Sequence, residues 1–272
     1  MKYSSVTLNV HSEILIALLS SLPFDSFLEE EENNKIIGYI PSSELTESTI
    51  DRLGDICNDY NVSYEIEEMP EKNWNEEWES SFQPVEIDDF CRIRATFHVH
   101  VDGFKHEIII DPKMAFGTGH HETTYMMIQE LSKHELRNKS VLDYGCGTGI
   151  LAILCAQEGA QPILGIDIEK DAVENTIANL AENNINSVEV LQGDLEVTEK
   201  EAYDLVLANI NRHVLLKNVE GVYHRLKKDG TLFMSGVLRE DREVILEHYT
   251  PLFNIVAEVS RGNWLCLTLT KK

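Results

Sequence analysis

Residues 141–149 read Val141-Leu142-Asp143-Tyr144-Gly145-Cys146-Gly147-Thr148-Gly149, and an acid, Asp167, stands 22 positions beyond the first of their three glycines. The apolar run Val141-Leu142-Asp143 has the make-up of a strand, and Ile150-Leu151-Ala152-Ile153-Leu154 that of a buried helix. A second apolar strand, Pro162-Ile163-Leu164-Gly165-Ile166, leads to Asp167. Glycines in a strand-to-helix turn reach backbone conformations closed to other residues, so a ligand can lie against the main chain. A carboxylate at the tip of the next strand can accept hydrogen bonds from both ribose hydroxyls. Together these predict a nucleoside-cofactor site at the carboxyl edge of a parallel sheet.

The glycine spacing separates the candidate cofactors. A dinucleotide fingerprint, G-x-G-x-x-G, sets its third glycine three residues after the second, and Ile150 occupies that position here. Gly145, Gly147 and Gly149 instead follow G-x-G-x-G behind the strand acid Asp143, which resembles motif I of the Rossmann-like S-adenosylmethionine methyltransferases. That donor has no phosphate, so the loop must accommodate a zwitterionic methionine tail. Val188-Glu189-Val190-Leu191-Gln192-Gly193-Asp194 resembles the third strand of the class, where an acid or amide often faces adenine. Tyr203-Asp204-Leu205-Val206-Leu207-Ala208-Asn209-Ile210 resembles the fourth, whose tip carries the reaction site. A glycine triplet alone fits any strand–helix turn; four elements in this order carry the assignment.

Upstream lies Asp111-Pro112-Lys113-Met114-Ala115-Phe116-Gly117-Thr118-Gly119-His120-His121-Glu122-Thr123-Thr124. It resembles the signature of the ribosomal protein L-eleven methyltransferase (PrmA) family, A-F-G-T-G-x-H-x-T-T, with Glu122 where many members have proline. The resemblance extends over nearly the whole chain. It implies that Thr124, Gly145, Asp167 and Asn209 contact S-adenosylmethionine and that the segment with Phe116 folds over it. Asp143 and Gly147 belong to the same cofactor set, and Asp194 is carried over from the broad class as an adenine contact. The implied activity is S-adenosylmethionine-dependent N-methylation of lysine side chains and the amino-terminal amine of ribosomal protein L-eleven. Read from the residues alone, Gly117 and Gly119 suit a sharply bent loop, and Thr123 and Thr124 fall in the first turn of the following helix. From spacing alone, Thr124 suits capping its own helix better than meeting a ligand. His120 and His121 have no Cys or acidic partner at ligand spacing, so no metal is expected, and they read as loop or lip residues.

The 272 residues carry 23 basic and 47 acidic side chains, a formal charge of −24. Residues 1–82 hold 18 of the acids and 4 of the bases. Such a surface repels phosphate backbones, which argues against gripping naked RNA or DNA, and attracts a basic partner such as a lysine-rich ribosomal protein. An acidic protein kept soluble by its charge would look the same. Cys57, Cys91, Cys146, Cys155 and Cys266 are odd in number and form no C-x-x-C pair, the pattern of reduced thiols rather than a disulfide framework. Cys146 reads as a small spacer in the glycine loop. The apolar stretch from Ile14 to Leu19 is too short for a signal core, and no segment approaches the ~20 apolar residues of a membrane span. A cytoplasmic monomer is expected.

The fold class expected is α/β: a Rossmann-like seven-stranded methyltransferase domain preceded by a small ferredoxin-like α+β domain. Tyr3 to Val10, Phe24 to Phe27, Lys35 to Ile40 and Val62 to Ile66 read as strands, and Glu13 to Leu22 and Leu45 to Tyr60 as helices, with residues 29–34 as a solvated hairpin tip. That β-α-β-β-α-β order makes residues 1–69 a ferredoxin-like module, which the resemblance casts as the substrate-recognition domain. Residues 70–82 read as a connector helix with Trp74, Trp78 and Phe82 as an aromatic stripe. The methyltransferase domain takes residues 83–272. Within it, Cys91 to Val101 and His106 to Ile110 read as a hairpin about Asp102-Gly103. Thr231 to Val237 reads as a fifth strand, and residues 254–259 and 264–270 as a closing antiparallel pair.

Asn209 is the catalytic candidate. Its carbonyl oxygen accepts a hydrogen bond without carrying charge, so it can aim an amine's lone pair and leave the amine nucleophilic. The competing role is capping of the helix that begins near Asn211. The chain reads Asn209-Ile210-Asn211-Arg212; Asn-Ile suits the resembled family better than the Asn-Pro-Pro-aromatic segment of amide methyltransferases, while Asn211 and Arg212 depart from the apolar residue common there. Asp143 reads as a brace for the glycine loop or for the cofactor's amino group. The competing functions are a methyltransferase of the same fold with another protein, RNA or small-molecule substrate, a non-catalytic ribosome-binding module, and an NAD-dependent oxidoreductase.

Overall fold

Val141–Tyr144 is buried at all four positions, as a central strand covered on both faces requires. The structure, a computed structural model, describes residues 2–10, 12–30, 34–69, 83–111, 119–200 and 203–272. The chain divides into two compact units, Met1–Ser81 and Phe82–Lys272.

In the first unit, β1 (Tyr3–Leu8), β2 (Ser26–Glu30), β3 (Lys35–Pro41) and β4 (Tyr64–Glu68) form one antiparallel sheet in the order β2-β3-β1-β4. Strict alternation of buried and half-buried residues along β1 and β3 turns Val6, Leu8, Ile36 and Ile40 to one face. Helices α1 (Glu13–Leu19) and α2 (Glu47–Asp59) cover that face with Leu15, Leu19, Leu53 and Cys57. Ser12 caps α1 and Thr46 caps α2, each accepting a backbone N–H from three residues on. The second strand begins two residues later than the sequence suggests and runs on through Glu29 and Glu30, paired with Ile36 and Lys35. Ladder pairing there outweighs the low strand propensity of glutamate.

The second unit opens with β5 (Val85–Ile87), β6 (Cys91–Arg94) and β7 (His106–Ile109), a small sheet in that order. The expected hairpin is corrected here: β6 and β7 pair parallel, Cys91 with His106 through Arg94 with Ile109. Residues 95–105 cross back instead of extending the strand. The Arg92 guanidinium donates to the Val99 carbonyl and that of Arg94 to the carbonyls of Ala95 and His98, which pins the crossover. Val99 is 77% exposed, so this end of the expected strand faces water.

The main sheet has the order β10-β9-β8-β11-β12-β14-β13. Its members are β8 (Val141–Tyr144), β9 (Ile163–Asp167), β10 (Val188–Gln192), β11 (Tyr203–Asn209), β12 (Leu226–Leu238), β13 (Phe253–Arg261) and β14 (Trp264–Lys271). Strands β10, β9, β8, β11 and β12 run parallel, and β14 and β13 close the sheet antiparallel. Intervening helices are α3 (Glu122–Leu131), α4 (Ile150–Gln157), α5 (Lys170–Glu182), α6 (Arg212–Lys217), α7 (Val219–Arg225) and α8 (Arg242–Tyr249). Neighbouring strand residues feed opposite cores: Val141 and Leu207 join the cluster of Met127 and Leu151, Leu142 and Val206 that of Ile245 and Phe253. Strand order reverses between β8 and β11, and ligands in such sheets bind outside the strand ends at that switch point.

Candidate active site

Three backbone turns above β8 set the floor of the site. Gly145, Gly147 and Gly149 sit at φ +75°, +56° and +76°. A Cβ on Gly145 would also overlap Ile210 Cγ2, so this position needs glycine twice over. Gly149 is the N-cap of α4 and brings no side chain to that helix end. Asp143 Oδ2, buried under the turn, accepts the Ala152 N–H at 3.2 Å and ties strand to helix. Burial pushes its carboxyl up to about 7, the Ala152 N–H opposes this, and the Asp167 charge adds to it. Asp143 thus braces the loop, one of the two roles expected of it.

Asp167 ends β9 beside the same loop. Its Oδ2 accepts the Gly147 N–H and its Oδ1 the Glu169 N–H, both at 3.0 Å. One lone pair on each oxygen remains for a diol. The loop is held from the other side by α5. Thr176 Oγ1 donates to the Gly147 carbonyl at 2.8 Å, and Asn179 Nδ2 to the Thr148 carbonyl at 2.8 Å. Asn179 Oδ1 accepts the Asp111 N–H at 2.8 Å, where the chain leaves β7.

At the tip of β11, Asn209 Nδ2 donates to Thr124 Oγ1 at 3.3 Å. Asn209 Oδ1 is buried and has no hydrogen-bond partner among the described residues. A buried acceptor left without a donor costs about 1–3 kcal/mol, so the site is built to receive one. Capping of the next helix falls to Asn211, whose Oδ1 accepts the Val214 N–H. Thr124 does not cap its helix either: His121 Nδ1 accepts the Thr123 N–H, and Thr124 is buried facing Asn209. His120 Nε2 lies 2.8 Å from the Gln83 carbonyl. No group of three or more His, Cys, Asp or Glu among the described residues could hold a metal.

These groups line one cavity of about 610 Å³, within the range of small-molecule sites. Thr124, Asp143, Gly145, Gly147, Asp167, Asp194 and Asn209 all border it; Phe116 lies outside the described residues. Cys146 also borders the cavity, with its thiol pushed up to about 12 by burial first and by Asp143 next, so it is no thiolate nucleophile.

The family model described as ribosomal protein L11 methyltransferase (PrmA) matches residues 12–272. The chain belongs to this family. Ribosomal protein L11 methyltransferase of Phocaeicola vulgatus is 38% identical over the full length of both chains. That of Bacteroides fragilis is 41% identical over 89% of each. The crystal structure of ribosomal protein L11 methylase from Lactobacillus delbrueckii subsp. bulgaricus matches with a TM-score of 0.65 at 25% identity, covering 70% of this chain and all of that one. The larger unit accordingly has the Rossmann-like methyltransferase fold.

Within the PrmA frame, several cavity residues carry no motif that the sequence announces. Tyr144, Asn218, Gly236 and Trp264 line the cavity, and Thr176 and Asn179 act from behind it. Asn175 and Asn179, both buried on α5, and its C-cap Asn183 recur every four residues, a polar stripe that helical spacing alone could have exposed. Trp264 meets the His121 ring edge-on at 4.6 Å, joining β14 to the start of α3.

Proposed function

We propose that this chain is an S-adenosylmethionine-dependent N-methyltransferase acting on lysine side chains and the amino-terminal amine of ribosomal protein L11. The supporting comparisons are the family match and the full-length relatives that bear the name. The observation that carries the chemistry is the Oδ1 of Asn209, which has no hydrogen-bond partner among the described residues, on a residue of the cavity wall. When bound, S-adenosylmethionine supplies a methyl carbon made electrophilic by its sulfonium. Its leaving thioether is neutral, so no general acid is required, and the protein's work is positioning and exclusion of water.

A lysine amine must be neutral to attack, at a cost of about 4.6 kcal/mol at pH 7 from its ordinary pKa near 10.4. Burial beside a cation lowers that cost. Asn209 Oδ1 would accept one N–H of the neutral amine and turn its lone pair toward the methyl carbon, while Thr124 fixes the amide plane through Nδ2. Asp167 would hold the ribose hydroxyls with its remaining lone pairs, Asp194 the adenine edge, and Gly145 and Gly147 the methionine tail.

We read residues 1–69 as a ferredoxin-like substrate-recognition domain and residues 83–272 as the methyltransferase domain; the expected connector helix with Trp74, Trp78 and Phe82 lies outside the described residues. The β-α-β-β-α-β order and the sheet order β2-β3-β1-β4 support the first of these. The excess of acids in residues 1–82 suits a basic client. Five free, buried cysteines and the absence among the described residues of any helix able to cross a membrane favour a cytoplasmic place.

The test is incubation of the purified protein with S-adenosylmethionine and unmethylated L11, read by intact mass. Mass gains in steps of one methyl on L11 are expected. Methyl transfer to RNA or small metabolites but not to L11 would redirect the substrate, and tight cofactor binding without transfer to any basic protein would make it a binding module.

A further inference from the structure

Asp194 borders the cavity on the turn that follows β10, and it does not stand alone. Tyr144 Oη donates to Asp194 Oδ1 at 2.7 Å, and Asn218 Nδ2 donates to the same hydroxyl at 2.8 Å. All three residues line the cavity, and the Tyr144 side chain is buried. The chain of donors has only one direction. An amide nitrogen can only donate, so the hydroxyl receives from Asn218 and its own proton is left to give to Asp194. Burial, followed by the neighbouring Asp194, raises the Tyr144 hydroxyl well above its ordinary range, which keeps that proton in place.

The turn carrying Asp194 is fixed as well. Asp194 Oδ1 also accepts the Leu195 N–H at 2.7 Å. The buried Arg225 guanidinium donates to the Leu195 carbonyl and, at 2.7 Å, to Thr198 Oγ1. Oδ1 is therefore committed twice, and no described hydrogen bond occupies Oδ2. A carboxylate oxygen held in one orientation accepts an N–H and repels a carbonyl lone pair.

We propose that Tyr144 and Asn218 are positioning residues that aim Asp194 Oδ2 at the exocyclic amine of a 6-aminopurine, so that the site selects adenosyl over 6-oxopurine donors. The proposal rests on reading Asp194 as the contact to the base edge. A 6-oxopurine presents a carbonyl where adenine presents an amine, and a fixed carboxylate cannot rotate away to spare the repulsion. Freed from Tyr144, it can.

The experiment measures, by calorimetry, the binding of S-adenosylhomocysteine and of S-inosylhomocysteine to the full chain and to Tyr144→Phe, Asn218→Ala and Asp194→Asn. The readout is the ratio of the two affinities on one preparation, which cancels any loss of folded protein. The wild type is expected to favour the adenosyl compound by about 100-fold or more, and Tyr144→Phe and Asn218→Ala to lose about ten-fold of that preference. Asp194→Asn should lose most of it, since an amide can turn a donor toward the oxo group. A wild-type ratio in Asp194→Asn would show that this residue does not read the base, and would overturn both statements. Collapse in Asp194→Asn with wild-type ratios in Tyr144→Phe and Asn218→Ala would leave the base contact standing and overturn the positioning role. Equal weakening of both ligands in those two variants would likewise overturn it, as a merely structural contribution.

Discussion

Asn209 and Thr124, 85 positions apart, meet side chain to side chain at 3.3 Å, and this one contact fixes which face of the Asn209 amide is left over. With Nδ2 committed to the threonine hydroxyl, Oδ1 has no choice but to present itself to the cavity. Asn209→Ala should lower kcat by about 100-fold or more with little change in affinity for S-adenosylhomocysteine, because the lost acceptor serves the attacking amine. Thr124→Val keeps the volume but frees the amide to flip, and should cost about ten-fold in kcat. Steady-state kinetics on unmethylated L11 with parallel calorimetry distinguishes the two.

Ile210 is crowded by two glycines in different ways. A Cβ at Gly145 would strike the Ile210 side chain, whereas one at Gly236 would strike the Ile210 backbone carbonyl, and both positions have positive φ, +75° and +84°. Each Gly→Ala change should destabilise by about 1–3 kcal/mol and weaken S-adenosylhomocysteine binding. Adding Ile210→Ala should recover part of the loss in Gly145→Ala and none in Gly236→Ala. Equal rescue by urea titration would contradict the difference in what each Cβ meets.

Asp143 makes stability fall with rising pH. Its carboxyl titrates near 7 when folded against an ordinary 3.8, so between those values the unfolded chain has released a proton that the folded chain retains. Stability is therefore lost from about pH 4 up to about pH 7 and is level above, with a slope of at most about 1.4 kcal/mol per pH unit from this group. Asp143→Asn should match the wild type near pH 4 and gain on it toward pH 7. Urea midpoints across that window check the sign, and a variant that loses ground as pH rises would refute it.

Behind the glycine loop, Asn179 serves two backbone groups in distant segments, the Thr148 carbonyl and the Asp111 N–H, while Thr176 serves the Gly147 carbonyl. Thr176→Val should cost about 1 kcal/mol and Asn179→Ala about 2–3 kcal/mol of unfolding free energy, since the second removes two hydrogen bonds to the backbone at once. Both should weaken cofactor binding without altering the preferred substrate amine.

Legibility followed locality. The β8–α4–β9 passage was readable because its glycines, acids and apolar runs are contiguous, and all five cavity groups read from it or from the tip of β11 do border the cavity. From spacing alone Thr124 reads as a cap, because capping is a local pattern, whereas the partner the structure gives it, Asn209, is far off in sequence. The β6–β7 pair was misread for a related reason. Residues 91–101 read as one long strand, and only the parallel pairing of Cys91–Arg94 with His106–Ile109 shows that the chain crosses over between them. Tyr144 sits inside the glycine motif, yet nothing in the sequence links it to Asn218 until β8 and the end of α6 are placed beside the same turn.

Among the described residues, those bordering the cavity all fall between Thr124 and Trp264, so the proposed grip on the methyl donor lies in the latter part of the polypeptide. On the proposed division of labour, substitutions in the opening 81 residues would change the choice of client and leave affinity for the donor unchanged. Such a division lets an ancestral enzyme change customers one module at a time, and it offers the engineer the same freedom.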